Sequence, residues 1–162
     1  MVPGASTSSP IVLRLANDLK EAADAAIAVI QAVEPLLWNQ VPAPGVWAIG
    51  KDAEHVSEAA IYHQWIVRLT IGEKVSSRRP AIERRSLTTS LTPAEAIDRL
   101  AERTELGLRL ITSLTDEQLE LVTRPPRAQS QRLAATIERV MIGHYVLHRR
   151  VIEAKFAAGA SV

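Results

Sequence analysis

Near the start of the chain, Ile11, Leu15, Leu19, Ala22, Ala26, Ile30, Val33 and Leu37 recur at intervals of three and four residues. That spacing predicts an amphipathic helix from about Ser9 to Asn39. Ser9-Pro10 is a start signal, a capping residue followed by proline in the first turn. Pro35 interrupts the pattern and is expected to kink or end the helix near Glu34. The breakers of Val41-Pro42-Ala43-Pro44-Gly45 follow. A second helix is predicted from Ile49 or Lys51 to Ile71, with Gly72 as its stop. A third opens on Thr92-Pro93-Ala94-Glu95, a capping box, with a stripe of Ile97, Leu100, Ala101, Thr104, Leu108 and Ile111. A link through Asp116 and Pro125-Pro126 leads to a fourth helix, about Ser130 to Ala157. Its stripe is Leu133, Ile137, Val140, Met141, His144, His148, Val151 and Ile152. No segment reads as a convincing strand, so the expected fold is all-α, a four-helix bundle. Periodicity leaves the helix order open between up-down-down-up and up-down-up-down.

The connection from Gly72 to Leu91 is long and polar, and Arg78, Arg79, Arg84 and Arg85 make it locally basic. It reads as a solvated loop in preference to an anion-binding patch. It exceeds a tight bundle turn, so it is expected to pack over an end of the bundle or beside a site. Residues 1–9 read as a flexible tail and residues 10–158 as one domain.

Composition narrows the functional classes. Apolar residues are 47% of the 162, and aromatics only 4%, which favours helices over a sandwich or barrel. A chain of this length builds a sizeable core without staples. The net charge of +1 lacks the basic excess of a nucleic-acid binder. There is no cysteine, which excludes disulfides, thiolate metal sites and a cysteine nucleophile. Any thiol chemistry needs a thiol from a cosubstrate. The first ten residues lack a signal peptide's basic start and apolar run, and no stretch approaches the ~20 apolar residues of a membrane span. A soluble cytoplasmic protein with no membrane partner is therefore expected.

Candidate chemistry centres on the four histidines. His144 and His148 are spaced i, i+4, so both imidazoles lie on one helix face. They fall on the apolar stripe between Met141 and Val151. Inward imidazoles need partners, because an unpaired buried polar group costs about 1–3 kcal/mol. A metal ion is one such partner, and a solvated or hydrogen-bonded pair is the alternative. A third ligand must come from another helix. His55, beside Val56, Ala59 and Ile66, is the better candidate. His63 is its competitor, rotated ~80° around a 3.6-residue helix, and reads as a substrate contact or a surface residue. Tyr62 lies two turns from His55 on nearly the same face. Glu54 and Glu58 flank His55 and read as solvent-facing residues, with a supporting or basic role as the alternative. Tyr145 stands where an HExxH protease needs its glutamate, so that chemistry is excluded. There is no GxSxG elbow, P-loop or GxGxxG motif.

Two motifs carry a family resemblance. Pro44-Gly45-Val46-Trp47-Ala48-Ile49, followed by Asp52-Ala53-Glu54-His55-Val56, resembles the entry to helix two of the DinB/YfiT-like superfamily. Gly143-His144-Tyr145-Val146-Leu147-His148 resembles its closing HxxxH motif. The resemblance spans about residues 10 to 156 with the motifs in the expected order. It implies an up-down-down-up bundle with a long crossover between helices two and three, which suits the connection at 72–91. It also implies a homodimer and a zinc or nickel site made by His55, His144 and His148. The family includes bacillithiol and glutathione S-transferases and a mycothiol-dependent maleylpyruvate isomerase. The resemblance thus implies a metal-dependent transferase joining a low-molecular-weight thiol to an electrophilic substrate, with Tyr62 and Glu58 as candidates to orient the thiol. A metal-dependent hydrolase of the same fold and a non-catalytic, stress-related metal-binding protein are the alternatives. The family's name refers to induction by DNA damage and carries no warrant for nucleic-acid binding.

Overall fold

The computed structural model describes residues 9–123 and 130–159. The Pro125-Pro126 link and all but the last residue of the expected tail lie outside the described residues. Helix α1 spans Pro10–Ala32, and the Ser9 hydroxyl accepts the Val12 N–H at 3.2 Å. It ends before Pro35, and a single 3₁₀ turn, Pro35–Leu37, follows. Leu15, Leu19, Ala22, Ala26 and Ile30 are buried as their spacing predicts, whereas Ile11 is exposed and Val12 points inward in its place. Helix α2 is Ile49–Thr70, and Gly72 follows it with φ 80°. Helix α3 is Pro93–Thr112, and its capping box forms between Thr92 and Glu95. Leu100, Thr104 and Ile111 face the core, but Ala101 is exposed.

The last part of the chain is less regular than its periodicity suggests. A single turn, α4 (Asp116–Leu119), is capped by Thr115 and Gln118. Two short strands, β1 (Val122–Thr123) and β2 (Gln131–Arg132), then pair antiparallel, Val122 opposite Arg132 and Thr123 opposite Gln131. This corrects the expectation of no strand. The Thr123 hydroxyl anchors the ladder, donating to the Gln131 carbonyl at 3.0 Å and pairing with the Thr136 hydroxyl at 2.5 Å. The predicted helix from Ser130 is therefore interrupted. It begins as α5 (Leu133–Thr136), widens into a π turn over Ile137–Ile142, and continues as α6 (Gly143–Gly159). In the π turn the Gly143 N–H reaches back to the Glu138 carbonyl. Such turns shift the register of the face that follows.

Side-chain pairs fix the helix directions. Arg103 of α3 contacts Ser57 through its guanidinium and Gln64 through its carbonyl, and the start of α2 lies beside Thr89 and Leu91, just before α3. Helices α2 and α3 therefore run parallel. His148 meets Asp52 whereas His144 meets His63, so α6 runs antiparallel to α2. Arg14 near the start of α1 pairs with Glu138 at 2.5 Å, and Leu37 lies beside Gly159, so α1 and α6 run the same way. The order is up-down-down-up. Helices α1 and α2 each pack against α3 and α6, around one shared core. The connection between Thr70 and Pro93 must run the length of the bundle, as a crossover between parallel helices requires. No described helix is long and apolar enough to cross a membrane.

Trp38 ties three segments together at the end of the bundle where α2 begins. Its indole N–H donates to the Leu91 carbonyl at 2.7 Å, and its own carbonyl accepts the Gly50 N–H at 2.8 Å. A Cβ at Gly50 would lie 2.7 Å from Trp38 Cε2 and 2.8 Å from Thr89 Cγ2. The indole is buried and rigid, so it cannot swing aside. Gly50→Ala is expected to destabilise the protein by about 1–3 kcal/mol through overpacking. A urea midpoint equal to that of the wild type would show that the contact relaxes freely.

Candidate metal centre

The first turn of α2 is buried, from Ile49 through Ala53. Trp38 and the end of the crossover pack against it, and His55 follows a turn later, buried. His144 and His148 come from the facing α6, one turn apart and half-buried. The ring centroids of His55 lie 5.0 Å from His144 and 4.9 Å from His148, and the latter two are 4.5 Å apart. One nitrogen from each ring lies within 4.8 Å of those of the other two. The structure thus brings together the three histidines that the motifs single out.

The donor chemistry fits a divalent cation. His55 Nδ1 and His144 Nε2 are buried with no hydrogen-bond partner. His148 Nδ1 sits 3.3 Å from Asp52 Oδ1, which leaves Nε2 available as a ligand atom. A carboxylate on the outer nitrogen fixes a ligating imidazole's tautomer and orientation. Asp52 is held in turn by Lys155, which bonds its other oxygen and donates to the Trp47 carbonyl at 2.7 Å. The Trp47 ring packs 5.0 Å from His55. Burial lowers the pKa of His55 to about 4, helped by the positive field of His148, and that of His144 to about 2. Both are neutral at physiological pH, the form that binds metal.

His63 corrects the sequence reading. It is buried, its ring lies 5.1 Å from His144, and burial lowers its pKa to about 4. A rotation of ~80° from His55 does not carry it to the surface, because α2 is covered on most sides. Its Nδ1 is buried and unpartnered too. Of the two groups considered for orienting a cosubstrate, Tyr62 lines the cavity beside His55. Glu58 is half-buried and engaged elsewhere, accepting the Glu83 N–H at 3.1 Å. Glu54 accepts from the buried Lys51 at 2.8 Å. Tyr145 is buried, its hydroxyl 3.1 Å from that of Thr104. The sequence reading missed Asp52 as the partner of His148 and Lys155 as the partner of Asp52. The only signal was the place of Asp52 in the entry motif.

The crossover closes over this cluster. Glu83 meets the Lys51 ammonium at 2.7 Å, and that contact together with the Arg85 N–H lowers the Glu83 pKa to about 2. Burial opposes the charge on Lys51, but Glu54 and Glu83 outweigh it and raise its pKa. Farther along, the Trp65 indole donates to the Ser76 carbonyl at 3.0 Å. Between these anchors lies a cavity of about 350 Å³ lined by His55, Ala59, Tyr62, Arg79, Ile82, Arg84 and His144. The histidine cluster is therefore open to a small molecule on one side.

Four helices in this order, with three imidazoles converging from α2 and α6, define a helical bundle able to hold a metal ion. The chain belongs to the DinB superfamily, whose family model matches residues 18–152. Its fold is similar to the crystal structure of an uncharacterised protein from Clostridium difficile 630, with a TM-score of 0.65. That likeness covers 91% of this chain and 96% of the other at 15% identity, which speaks to the fold alone. No curated protein matches the sequence.

Two measurements test this geometry. Asp52→Ala removes the carboxylate behind His148 and is expected to weaken metal affinity about 10–100-fold. Competition against a chromophoric chelator reads this, and an unchanged affinity would remove Asp52 from the site. The second concerns the metal-free protein. Its unfolded histidines take up protons as pH falls below about 6.5, whereas His55 and His63 in the fold resist until about 4. The unfolded state then binds more protons, so stability falls with pH through that window. The urea midpoint should drop between pH 7 and 5, and less so in His63→Gln. A flat midpoint would mean the rings are solvated.

Proposed function

We propose that this protein is a metal-dependent transferase that uses a low-molecular-weight thiol cosubstrate, with His55, His144 and His148 holding one zinc or nickel ion. The observation that carries this reading is the three-imidazole cluster, two of whose rings, His55 and His144, line an open cavity. A structural zinc site is closed by four protein ligands, whereas three ligands beside an open cavity suit chemistry. A divalent cation held there supplies the charge that lowers the pKa of a bound thiol. The chain has no cysteine of its own, so the nucleophile must arrive through the cavity. Tyr62 sits where it can donate a hydrogen bond to a molecule in that space. Lys155 and Asp52 hold His148 in one orientation, and Trp47 shields His55.

Elemental analysis of the purified protein beside His55→Ala and His148→Ala tests the site. One equivalent of metal in the wild type and its loss in both variants are expected. Equal metal content in all three would sink the assignment. Turnover assays across several thiols and electrophiles test the chemistry. Chelated protein should stay folded and lose activity. Activity without any thiol would point instead to hydrolysis. A fold that collapses on chelation, with no turnover by the loaded protein, would leave the metal a purely structural role.

A further inference from the structure

The crossover brings two arginines to the histidine cavity. Arg79 and Arg84 both line it, and no aspartate or glutamate does. Among the described residues neither arginine has a carboxylate partner, whereas Arg14 holds two and Arg68 and Arg132 hold one each. The nearby carboxylates are engaged elsewhere, Glu54 and Glu83 on Lys51 and Glu58 on a backbone N–H. Both arginines are carried on a pinned backbone. Arg79 stacks 5.0 Å over the Tyr62 ring, which itself stacks on Trp65, and Arg84 follows the anchored Glu83. The cavity thus carries two arginines beside the imidazoles, with no carboxylate among the described residues paired to either.

We propose that Arg79 and Arg84 form an anion-binding arm that grips a carboxylate or other oxyanion on a ligand whose opposite end reaches His55 and His144. This deepens the transferase reading and rests on it in one respect, that the ligand's far end is the thiol. Guanidinium groups suit the task, since they bind oxyanions through paired, charge-assisted hydrogen bonds. His55 and His144 line the same cavity as both arginines, so an anion held at the arm lies beside the cluster.

Calorimetry on the zinc-loaded full chain tests the arm with four probes: 3-mercaptopropionate, 2-mercaptoethanesulfonate, 2-mercaptoethanol and propionate. An anionic thiol should bind at least about ten-fold tighter than 2-mercaptoethanol, the scale of one charge-assisted contact. The stronger of the two anionic thiols tells whether the arm prefers a planar or a tetrahedral group. In Arg79→Gln/Arg84→Gln the preference should vanish while zinc content and 2-mercaptoethanol affinity stay unchanged. Equal binding of charged and neutral thiols by the wild type, or a preference that survives the double substitution, overturns the arm. So does failure of all four probes to bind. Arginine-dependent binding of propionate without binding of any thiol would keep the arm and discard the thiol. Zinc measured in the same samples separates either result from failure of the metal site, because arginine-dependent propionate binding to a zinc-free chain would still uphold the arm.

Discussion

Four imidazoles share one space between α2 and α6, and burial holds three of them, His55, His63 and His144, in the neutral form. His144 lies about 5 Å from both His55 and His63, and His148 is closer still. Each ring added to the group raises the electrostatic cost of protonating the others, on top of the cost of burial. His55 Nδ1, His63 Nδ1 and His144 Nε2 are left buried without a hydrogen-bond partner among the described residues. A cation is a partner that neutral imidazoles can share. Much of the surrounding structure serves this arrangement: Asp52 turns His148, Lys155 holds Asp52, and Trp47 packs on His55.

The second constraint is topological. Parallel neighbours α2 and α3 need a crossover, and a crossover needs somewhere to lie. In this chain it lies on α2, pinned by Glu83 to the otherwise buried Lys51 and by Trp65 to the Ser76 carbonyl. A segment required for connectivity thereby becomes a wall of the cavity. With α3 over Ser57 and Gln64, α6 over Asp52 and the crossover over Lys51, α2 is buried around most of its circumference, charged and polar residues included.

Local features were the legible ones. The Ser9 and Thr92 caps form as their residue types require, because a cap involves only residues within one turn. The His144/His148 pair is legible for the same reason, since spacing alone puts both on one face. The place of His55 needed the entry motif, because periodicity could not rank it against His63. Features that depend on distant chain were hidden. Asp52 and His148 are 96 positions apart, and nothing in either helix announces their contact. The burial of His63 depends on what covers α2. The same holds for Arg79 and Arg84, which are exposed as a solvated loop predicts, but whose place at the histidine cavity shows only once the crossover is laid over α2. The β1–β2 ladder and the π turn were missed because each is too short to leave a period.

The histidines are far apart along the chain, with His55 in its first half and His144 and His148 near its end. Loop closure over such a span is slow and comes late in folding. During synthesis the first imidazole leaves the ribosome long before its partners exist. A chain without α6 keeps the two α2 histidines, His55 and His63, but lacks His144 and His148, two of the three that converge. The three-histidine cluster therefore exists only once the final helix has docked, and separates finished molecules from truncated or half-assembled ones.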